Sequence, residues 1–208
     1  MSIRPDSEET REHAARIVAS GGLIAFRTDT FYGLGANPRN AKAVQRIRTI
    51  KGRDDGKPIL LLIGELAEVK SLTTFEPALF RPIATHFWPG PLTIVLPAIV
   101  ALPKEVTAGS GSIGLRMPDD DSLRELVMLC GGVLTATSAN PSGSEPATSA
   151  LQVVEYFPTG IDLIIDGGVV TATQASTVID VTCDPPRIIR EGAVTRAELE
   201  TISDLRFK

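Results

Sequence analysis

The chain has 208 residues, of which 43% are hydrophobic and 22% charged, and its formal net charge at pH 7 is -4. These values are typical of a folded globular protein with a substantial core, and they exclude a fibrous or disordered chain. The acidic balance argues against a protein that coats nucleic acid non-specifically, because that binding needs an overall basic surface. A local basic patch is still compatible with the negative net charge.

Helix and strand signals alternate along the chain. A predicted helix over 8–19 begins at the N-cap Ser7, and the apolar run LIAF at 23–26 predicts a buried strand. A second predicted helix, over 41–50, begins at the N-cap Asn40. Further strands are predicted at 59–63, 92–96, 112–116, 133–135, 163–165, 177–181 and 187–190, and further helices at 77–87, 122–129 and 149–156. This interleaving predicts one α/β domain over 1–208 with a large, mixed sheet.

The N-terminus and the cysteines bear on the cellular compartment. The first residues, MSIRPDSEETREH, are polar and lack the apolar core of a signal peptide, and no apolar run reaches about 18 residues. Cys130 and Cys183 lie far apart without the spacing of a metal site, which favours buried, reduced thiols. We therefore expect a cytoplasmic protein.

Four polar segments adjoin the predicted strands, where ligands of open α/β sheets commonly bind. They are TDTFYGLGANP at 28–38, IKGRDDGKP at 50–58, TSANPSG at 137–143 and STVID at 176–180. We refer to IKGRDDGKP as the cation loop.

The cation loop gathers Lys51, Arg53 and Lys57 within seven residues. Two such charges 4 Å apart repel by about 1 kcal/mol in water and by about 4 kcal/mol at a dielectric near 20, so the loop favours an anionic ligand. The alternative is a solvated loop that Asp54 and Asp55 partly neutralise. If the stretch is extended, Lys51 and Arg53 point to one face and suit a phosphate chain. No GxxxxGK[ST] motif occurs, which argues against a Walker-type hydrolase.

The other polar segments each have two interpretations. Ser138 and Asn140, two residues apart, either face phosphate oxygens and a metal-bound water or form a simple turn. TDT at 28–30 either binds a ligand or forms an Asx-type turn. Arg116 ends an apolar strand, and a buried arginine needs a carboxylate or phosphate partner, from the protein or from a substrate.

Neither histidine lies in a polar segment, since His13 is in the first helix and His86 adjoins Phe87. Without a candidate Ser/His/Asp or Cys/His set, the chemistry must come from positioning and from charges aimed at a phosphate. The sequence therefore favours nucleotidyl or phosphoryl transfer assisted by Mg²⁺.

Seven blocks, taken together and in order, resemble one family. They are TDTFYGLGANP, IKGRDDGKPILLL, WPGPLTIVLP, SIGLRMP, TSANPSG, STVID and IIREGAV, and the resemblance as a whole extends over about 14–194. The chain resembles the YrdC/TsaC-like threonylcarbamoyl-AMP synthases and their YciO-type relatives. The resemblance implies a twisted, mixed sheet with flanking helices around a positively charged cavity, in the short form without the extra C-terminal domain of longer members.

The resemblance also implies an activity. The implied enzyme joins L-threonine, bicarbonate or CO₂, and ATP with Mg²⁺ into threonylcarbamoyl-AMP and pyrophosphate. Downstream transfer proteins then modify an adenosine of tRNA. The alternative is a YciO-like paralogue, or a nucleotide-binding or double-stranded-RNA-binding protein, with little synthase activity. The stretch 39–57, with seven Lys/Arg against two Asp, is compatible with either.

When the family's functional positions are matched to this sequence one by one, the resemblance implies three sets of residues. It also implies that Mg²⁺ enters with ATP and lies near Ser138 and Asn140. The catalytic set is Lys51 and Arg53. The ATP-binding set is Arg53, Lys57, Ser112, Ala136, Asn140, Pro146 and Arg190, and the threonine-binding set is Thr30, Arg116, Ser138 and Ser176.

Four positions depart from the family pattern: Arg27, Leu62, Ala175 and Glu191. Leu62 stands where many members have a histidine near the threonine site, which removes a polar contact. Glu191, in REG, resembles the YciO-type branch. The KGR and SAN blocks resemble the synthase branch, which we therefore prefer.

Overall fold

A computed structural model describes residues 1–52, 56–172, 174–202 and 207 of the chain. In chain order the elements are β1 (Ser2–Pro5), α1 (Glu8–Ala19), β2 (Ile24–Phe26), β3 (Gly33–Gly35), α2 (Ala41–Lys51), β4 (Leu60–Ile63), a 3₁₀ turn (Leu66–Ser71), α3 (Phe80–Phe87), β5 (Leu92–Pro97), α4 (Lys104–Thr107), β6 (Ser112–Arg116), α5 (Asp121–Leu129), β7 (Val133–Ser138), α6 (Ala150–Tyr156), β8 (Leu163–Asp166), β9 (Thr177–Asp180), β10 (Arg187–Arg190) and α7 (Arg196–Glu200).

The strands of the described residues form one ten-stranded sheet, in the order β1-β8-β2-β3-β7-β4-β6-β5-β9-β10. The pairs β1/β8, β2/β8, β4/β6 and β5/β9 are parallel, and the other neighbours are antiparallel. The predicted α/β class with a mixed sheet is confirmed. Within the same residues, no helix combines the length and apolar character needed to cross a bilayer.

The two faces of the sheet are covered differently. One face of β4, β5, β6 and β9 is buried in the main apolar core, which also includes residues of α3 and α4. We call it the covered face. On the opposite face, a second apolar cluster packs α1 and α5 against β2, β4, β7 and β8. Strands β5, β6 and β9 contribute no described residue of this opposite face to the main core or to the second cluster, so their part of the face is not covered by apolar packing. We call the opposite side the site face.

Local signals explain the first two helices. Ser7 Oγ accepts a hydrogen bond from Thr10 N at the start of α1, and Asn40 Oδ1 accepts one from Ala43 N at the start of α2. These contacts confirm both predicted N-caps. Helix α2 ends at Lys51 because Gly52, with φ of 57°, adopts the left-handed conformation.

Several sequence predictions need correction. The condition under which Lys51 and Arg53 would point to one face, an extended stretch, is not met at Lys51, which is helical. Strand β7 continues beyond the predicted 133–135 to Ser138, and α3 begins at Phe80 instead of residue 77. The prediction of buried thiols is wrong for Cys183, which is exposed. Burial raises the pKa of the Cys130 thiol to about 12.

Candidate functional site

The strand register places the predicted site residues on one face. Leu62 is the partner of both Arg116 and Leu134, and partners in register point to the same side of the sheet. Because side chains alternate along a strand, the even-numbered residues of β6 and β7 share that side. Arg190, opposite Val178, lies there as well. The site face therefore brings together Ser112, Arg116, Ala136, Ser138 and Arg190.

Arg116 is the most deeply buried charge of this face, with 3% of its side chain exposed. Its Nη2 donates to the Asp29 carboxylate and its Nη1 donates to Thr30 Oγ1 at 3.3 Å. Among the described residues no acceptor lies within hydrogen-bond distance of its buried Nε. Burial, and then the positive charge of Arg190, lower the pKa of Arg116 to about 10, so it stays protonated at pH 7.

The segment at 28–30 forms a hydrogen-bonded turn. Thr28 Oγ1 accepts from the main-chain nitrogens of Thr30 and Phe31, both at 3.1 Å, and donates to the Phe31 carbonyl at 2.6 Å. The turn interpretation therefore holds for Thr28. The same turn directs Asp29 and Thr30 towards Arg116, so the turn also builds the site.

Ser176 joins the site face just before β9. Its Oγ lies 3.1 Å from Thr93 Oγ1 in the buried part of the sheet. Arg190 Nη2 donates to the carbonyl oxygen of Ser176 at 2.8 Å and lies 3.3 Å from its Oγ. Two predicted residues that are 14 positions apart are thus in direct contact.

A cavity of about 350 Å³ opens next to Arg116. Two of its lining residues, Asp29 and Thr30, are the ones that contact the arginine. The volume is at the lower end of the range of small-molecule sites. The lining residues are Asp29, Thr30, Pro91, Asp119, Ala172, Gln174 and Ala193. Sequence reasoning left Asp29 between a ligand-binding segment and a turn, and it did not single out Asp119.

Lys51 is buried and bonded to the turn that follows β7. Its Nζ donates to the carbonyl oxygens of Ser138 and Asn140, the latter at 2.7 Å. The carbonyl of Lys51 in turn accepts from Ser142 N at 2.9 Å. Asn140 Nδ2 donates to the Ser144 carbonyl at 2.6 Å. Lys51 therefore fixes the backbone of this turn from both its main chain and its side chain.

The main chain of Lys57, near the end of the cation loop, is held by an arginine that sequence reasoning missed. Arg48 is 2% exposed; its Nε donates to the Glu105 carbonyl at 2.8 Å and its Nη2 to the Lys57 carbonyl at 3.0 Å. Lys57 itself is exposed. The predicted Arg53 lies outside the described residues. Of the remaining predicted ATP-binding positions, Ala136 is buried, and Ser112 and Pro146 are half-buried.

Three of the four departures from the family pattern, Leu62, Arg27 and Glu191, have side-chain contacts in the structure. Leu62 is 1% exposed and packs in the second apolar cluster. Arg27 forms an ion pair with Asp120 at 3.5 Å, and Glu191 Oε1 accepts from Arg196 N at 2.9 Å.

The described residues contain no group of three His, Cys, Asp or Glu side chains placed to hold a metal ion. At the predicted Mg²⁺ position, the Oδ1 of Asn140 lies 3.5 Å from the Lys51 ammonium. That oxygen already faces a cation, so the turn does not fit a metal held by the protein itself.

Three comparisons place the chain among known proteins. A sequence model of the Sua5_yciO_yrdC family, described as telomere recombination, matches residues 16–192. A threonylcarbamoyl-AMP synthase of Pyrococcus abyssi is 39% identical over 203 residues, which are 97% of this chain and 60% of that protein. The chain thus spans less than two thirds of the length of this relative.

Solved structures agree with the sequence match. The crystal structure of P. abyssi Sua5 complexed with L-threonine has a TM-score of 0.93 and 37% identity, covering 99% of this chain and 61% of that chain. The crystal structure of E. coli YciO has a TM-score of 0.81 and 29% identity, covering 93% of this chain and 95% of that chain.

Proposed function

Because the chain belongs to the Sua5/YciO/YrdC family, we propose that it is a threonylcarbamoyl-AMP synthase. The reaction joins L-threonine, bicarbonate or CO₂, and ATP, and it releases pyrophosphate. It is a nucleotidyl transfer, in which the AMP group of ATP passes to the carbamate of threonine. The name of the P. abyssi relative and the threonine in the related Sua5 structure support this assignment.

The observation that carries the proposal is the environment of Arg116. This cation is 3% exposed, carries a buried Nε that no described acceptor satisfies, and adjoins a cavity of about 350 Å³. A second arginine, Arg190, is close enough to lower the pKa of Arg116. Two neighbouring guanidinium groups with one carboxylate partner favour an anionic ligand, and the carboxylate of an amino acid meets that requirement.

In this mechanism Arg116 binds the threonine carboxylate, and the hydroxyls of Thr30, Ser138 and Ser176 orient the substrate. The threonine ammonium first loses a proton, and the neutral amine then forms a bond to the carbon of CO₂ and releases a second proton, which gives the carbamate. With bicarbonate the same carbamate forms and one water molecule leaves. An oxygen of the resulting carbamate then attacks the α-phosphorus of ATP, and pyrophosphate leaves.

On the ATP side, Lys57, Ser112 and Arg190 bind the nucleotide, together with Arg53 at a position outside the described residues. Asn140, Ala136 and Pro146 line the same side. Lys51 contributes by holding the turn at Ser138 and Asn140. Cations next to the phosphates stabilise the charge that develops as pyrophosphate leaves. Mg²⁺ enters with ATP as part of the substrate.

The proposal also includes the domain organisation of the protein, its cellular compartment and its partners. We propose one domain over 1–208, and a single sheet with strands from Ser2 to Arg190 supports this. The protein acts in the cytoplasm, and downstream transfer proteins move the threonylcarbamoyl group to tRNA. RNA binding by the stretch 39–57 belongs to the alternative function.

Calorimetry and a pyrophosphate assay on the same samples test this function. ATP-Mg²⁺ and L-threonine are titrated separately and together, and pyrophosphate release is then measured with bicarbonate present. We expect release that requires both threonine and bicarbonate. Nucleotide binding without threonine-dependent release would reject the synthase and favour a YciO-like protein, while RNA binding that collapses steeply with salt would favour the RNA-binding alternative.

A further inference from the structure

The wall of the cavity beside Arg116 carries negative charge. Asp29 and Asp119 are the charged residues among its described lining, and the other lining residues are neutral. Asp29 has 17% of its side chain exposed and is bonded to the arginine Nη2. Asp119 is exposed to solvent. A carboxylate therefore stands at the cavity directly next to a buried guanidinium.

An α-amino acid presents the complementary pair of charges. Its carboxylate and its ammonium are attached to the same carbon, so their two binding groups must also be neighbours. Asp29 and Arg116 are in direct contact, and the carboxylate reaches the cavity while the guanidinium keeps a free, buried Nε. No other carboxylate among the described residues contacts this guanidinium.

Electrostatics favour a zwitterion over a simple anion at this position. An anion added beside Asp29 places two carboxylates next to each other, and like charges in a partly buried site repel. A zwitterion instead gives four alternating charges, in the order Arg116, substrate carboxylate, substrate ammonium and Asp29. Burial of alternating charges costs less than burial of unpaired ones.

We propose that Asp29 binds the α-ammonium group of the amino-acid substrate and makes the site specific for α-amino acids over carboxylic acids without an amino group. This inference rests on the proposed function, whose substrate it describes. Asp29 touches the substrate in this arrangement, and its pairing with Arg116 holds both charges ready for the two ends of the zwitterion.

The test compares L-threonine with 3-hydroxybutyrate, which has hydrogen in place of the α-ammonium. Ligand-observed NMR titrations measure both dissociation constants for the wild-type protein, Asp29→Asn and Asp119→Asn. The two ligands share a carboxylate, so any effect of Asp29→Asn on Arg116 affects both, and the ratio of the constants isolates the ammonium. Asp119→Asn removes the same charge from the same cavity without touching Arg116.

We expect the wild-type preference for threonine to fall about tenfold or more in Asp29→Asn, since a charge-assisted hydrogen bond is lost. In Asp119→Asn the preference should change less than about threefold. Asp29→Ser, which keeps an acceptor for Arg116, serves as a second neutral variant should Asp29→Asn not fold.

Three results overturn the inference: a wild-type protein that binds both ligands equally or binds neither, an unchanged ratio in the neutral variants of Asp29, or an equal fall in Asp119→Asn. The pyrophosphate assay reports separately on the proposed function. Threonine-dependent release together with an unchanged ratio in Asp29→Asn rejects only the role of Asp29. Binding with the expected ratio but without release rejects only the synthase.

Discussion

Arg116 and Lys51 are both buried cations of the candidate site, yet they differ in what they bind. Arg116 contacts side chains, the Asp29 carboxylate and the Thr30 hydroxyl. Lys51 contacts main-chain carbonyls of the turn at Ser138 and Asn140. Side chains can exchange a protein partner for a ligand with small movements, whereas carbonyls that define a turn cannot. Similar burial therefore conceals two arrangements, since Arg116 is paired with side chains and Lys51 is bonded to the backbone of a turn. In the proposed function this difference corresponds to ligand recognition at Arg116 and backbone positioning at Lys51.

The largest effect is expected from Arg116→Met. Threonine-dependent pyrophosphate release should fall about a hundredfold or more, because the substrate carboxylate loses its charged partner. Arg16→Met, an exposed position on α1, is the control and should retain wild-type rates. Steady-state kinetics at varied threonine measure the effect. Wild-type kinetics in Arg116→Met would remove this arginine from substrate recognition.

Lys51→Met should reduce both stability and rate. The buried carbonyl of Asn140 and the partly buried carbonyl of Ser138 lose their donor, so we expect the free energy of unfolding to fall by about 1 to 3 kcal/mol. Turnover should fall about tenfold or more as the turn at Ser138 moves. Urea denaturation and kinetics measure the two effects, with Lys42→Met on the exposed side of α2 as control. A slow variant with unchanged stability would instead indicate that Lys51 acts on phosphate directly.

Lys57→Ala should affect nucleotide binding alone. Its side chain is exposed, so the free energy of unfolding should change by less than about 0.5 kcal/mol. The KM for ATP should rise about threefold to tenfold because one phosphate contact is lost. Lys70→Ala, another exposed lysine, provides the control. An unchanged KM for ATP would show that Lys57 does not contact the phosphates.

The smallest effect concerns pH and Asp180, on the site face at the end of β9. Burial would raise the pKa of this carboxyl, but hydrogen bonds from Thr182 and Arg187 lower it below its ordinary value. A lowered folded-state pKa adds stability above the unfolded value of about 3.9, and this is lost as the pH falls through the folded value. Denaturation curves between pH 6 and 3 should show less acid destabilisation in Asp180→Asn than in the wild type. Equal acid sensitivity of the two proteins would contradict the shift.

The sequence predicts elements whose signals are local. Helices α1 and α2 have their caps at Ser7 and Asn40 within the same stretch of chain. Strand β3 (Gly33–Gly35) was missed, because GLG has no alternating pattern and forms through its pairing with β2 and β7. Gly35 is required there: a Cβ would lie 2.6 Å from the Phe26 ring.

In the candidate site, too, the sequence predicts the residues themselves but not the contacts between distant parts of the chain. The family resemblance supplied positions such as Arg116 and Ser176, and the strand register brings them to one face. It did not supply the partners. Lys51 contacts carbonyls 87 and 89 residues away, and Asp29 lies 87 residues from its arginine. Contacts across such separations depend on the complete sheet, which no local pattern specifies.

These separations have a consequence for synthesis of the chain on the ribosome. The contact between Thr30 and Arg116 can form only after 86 further residues have been added to the chain, and the contact between Thr93 and Ser176 only after 83. Until β9 is added, strand β5 has an open edge, because β9 is its neighbour on that side of the sheet. Ser176 is one of the residues proposed to bind threonine, so a nascent chain arrested before it should bind no threonine. Under the proposed function, the amino acid would stabilise the protein only after nearly all of its sheet has been translated.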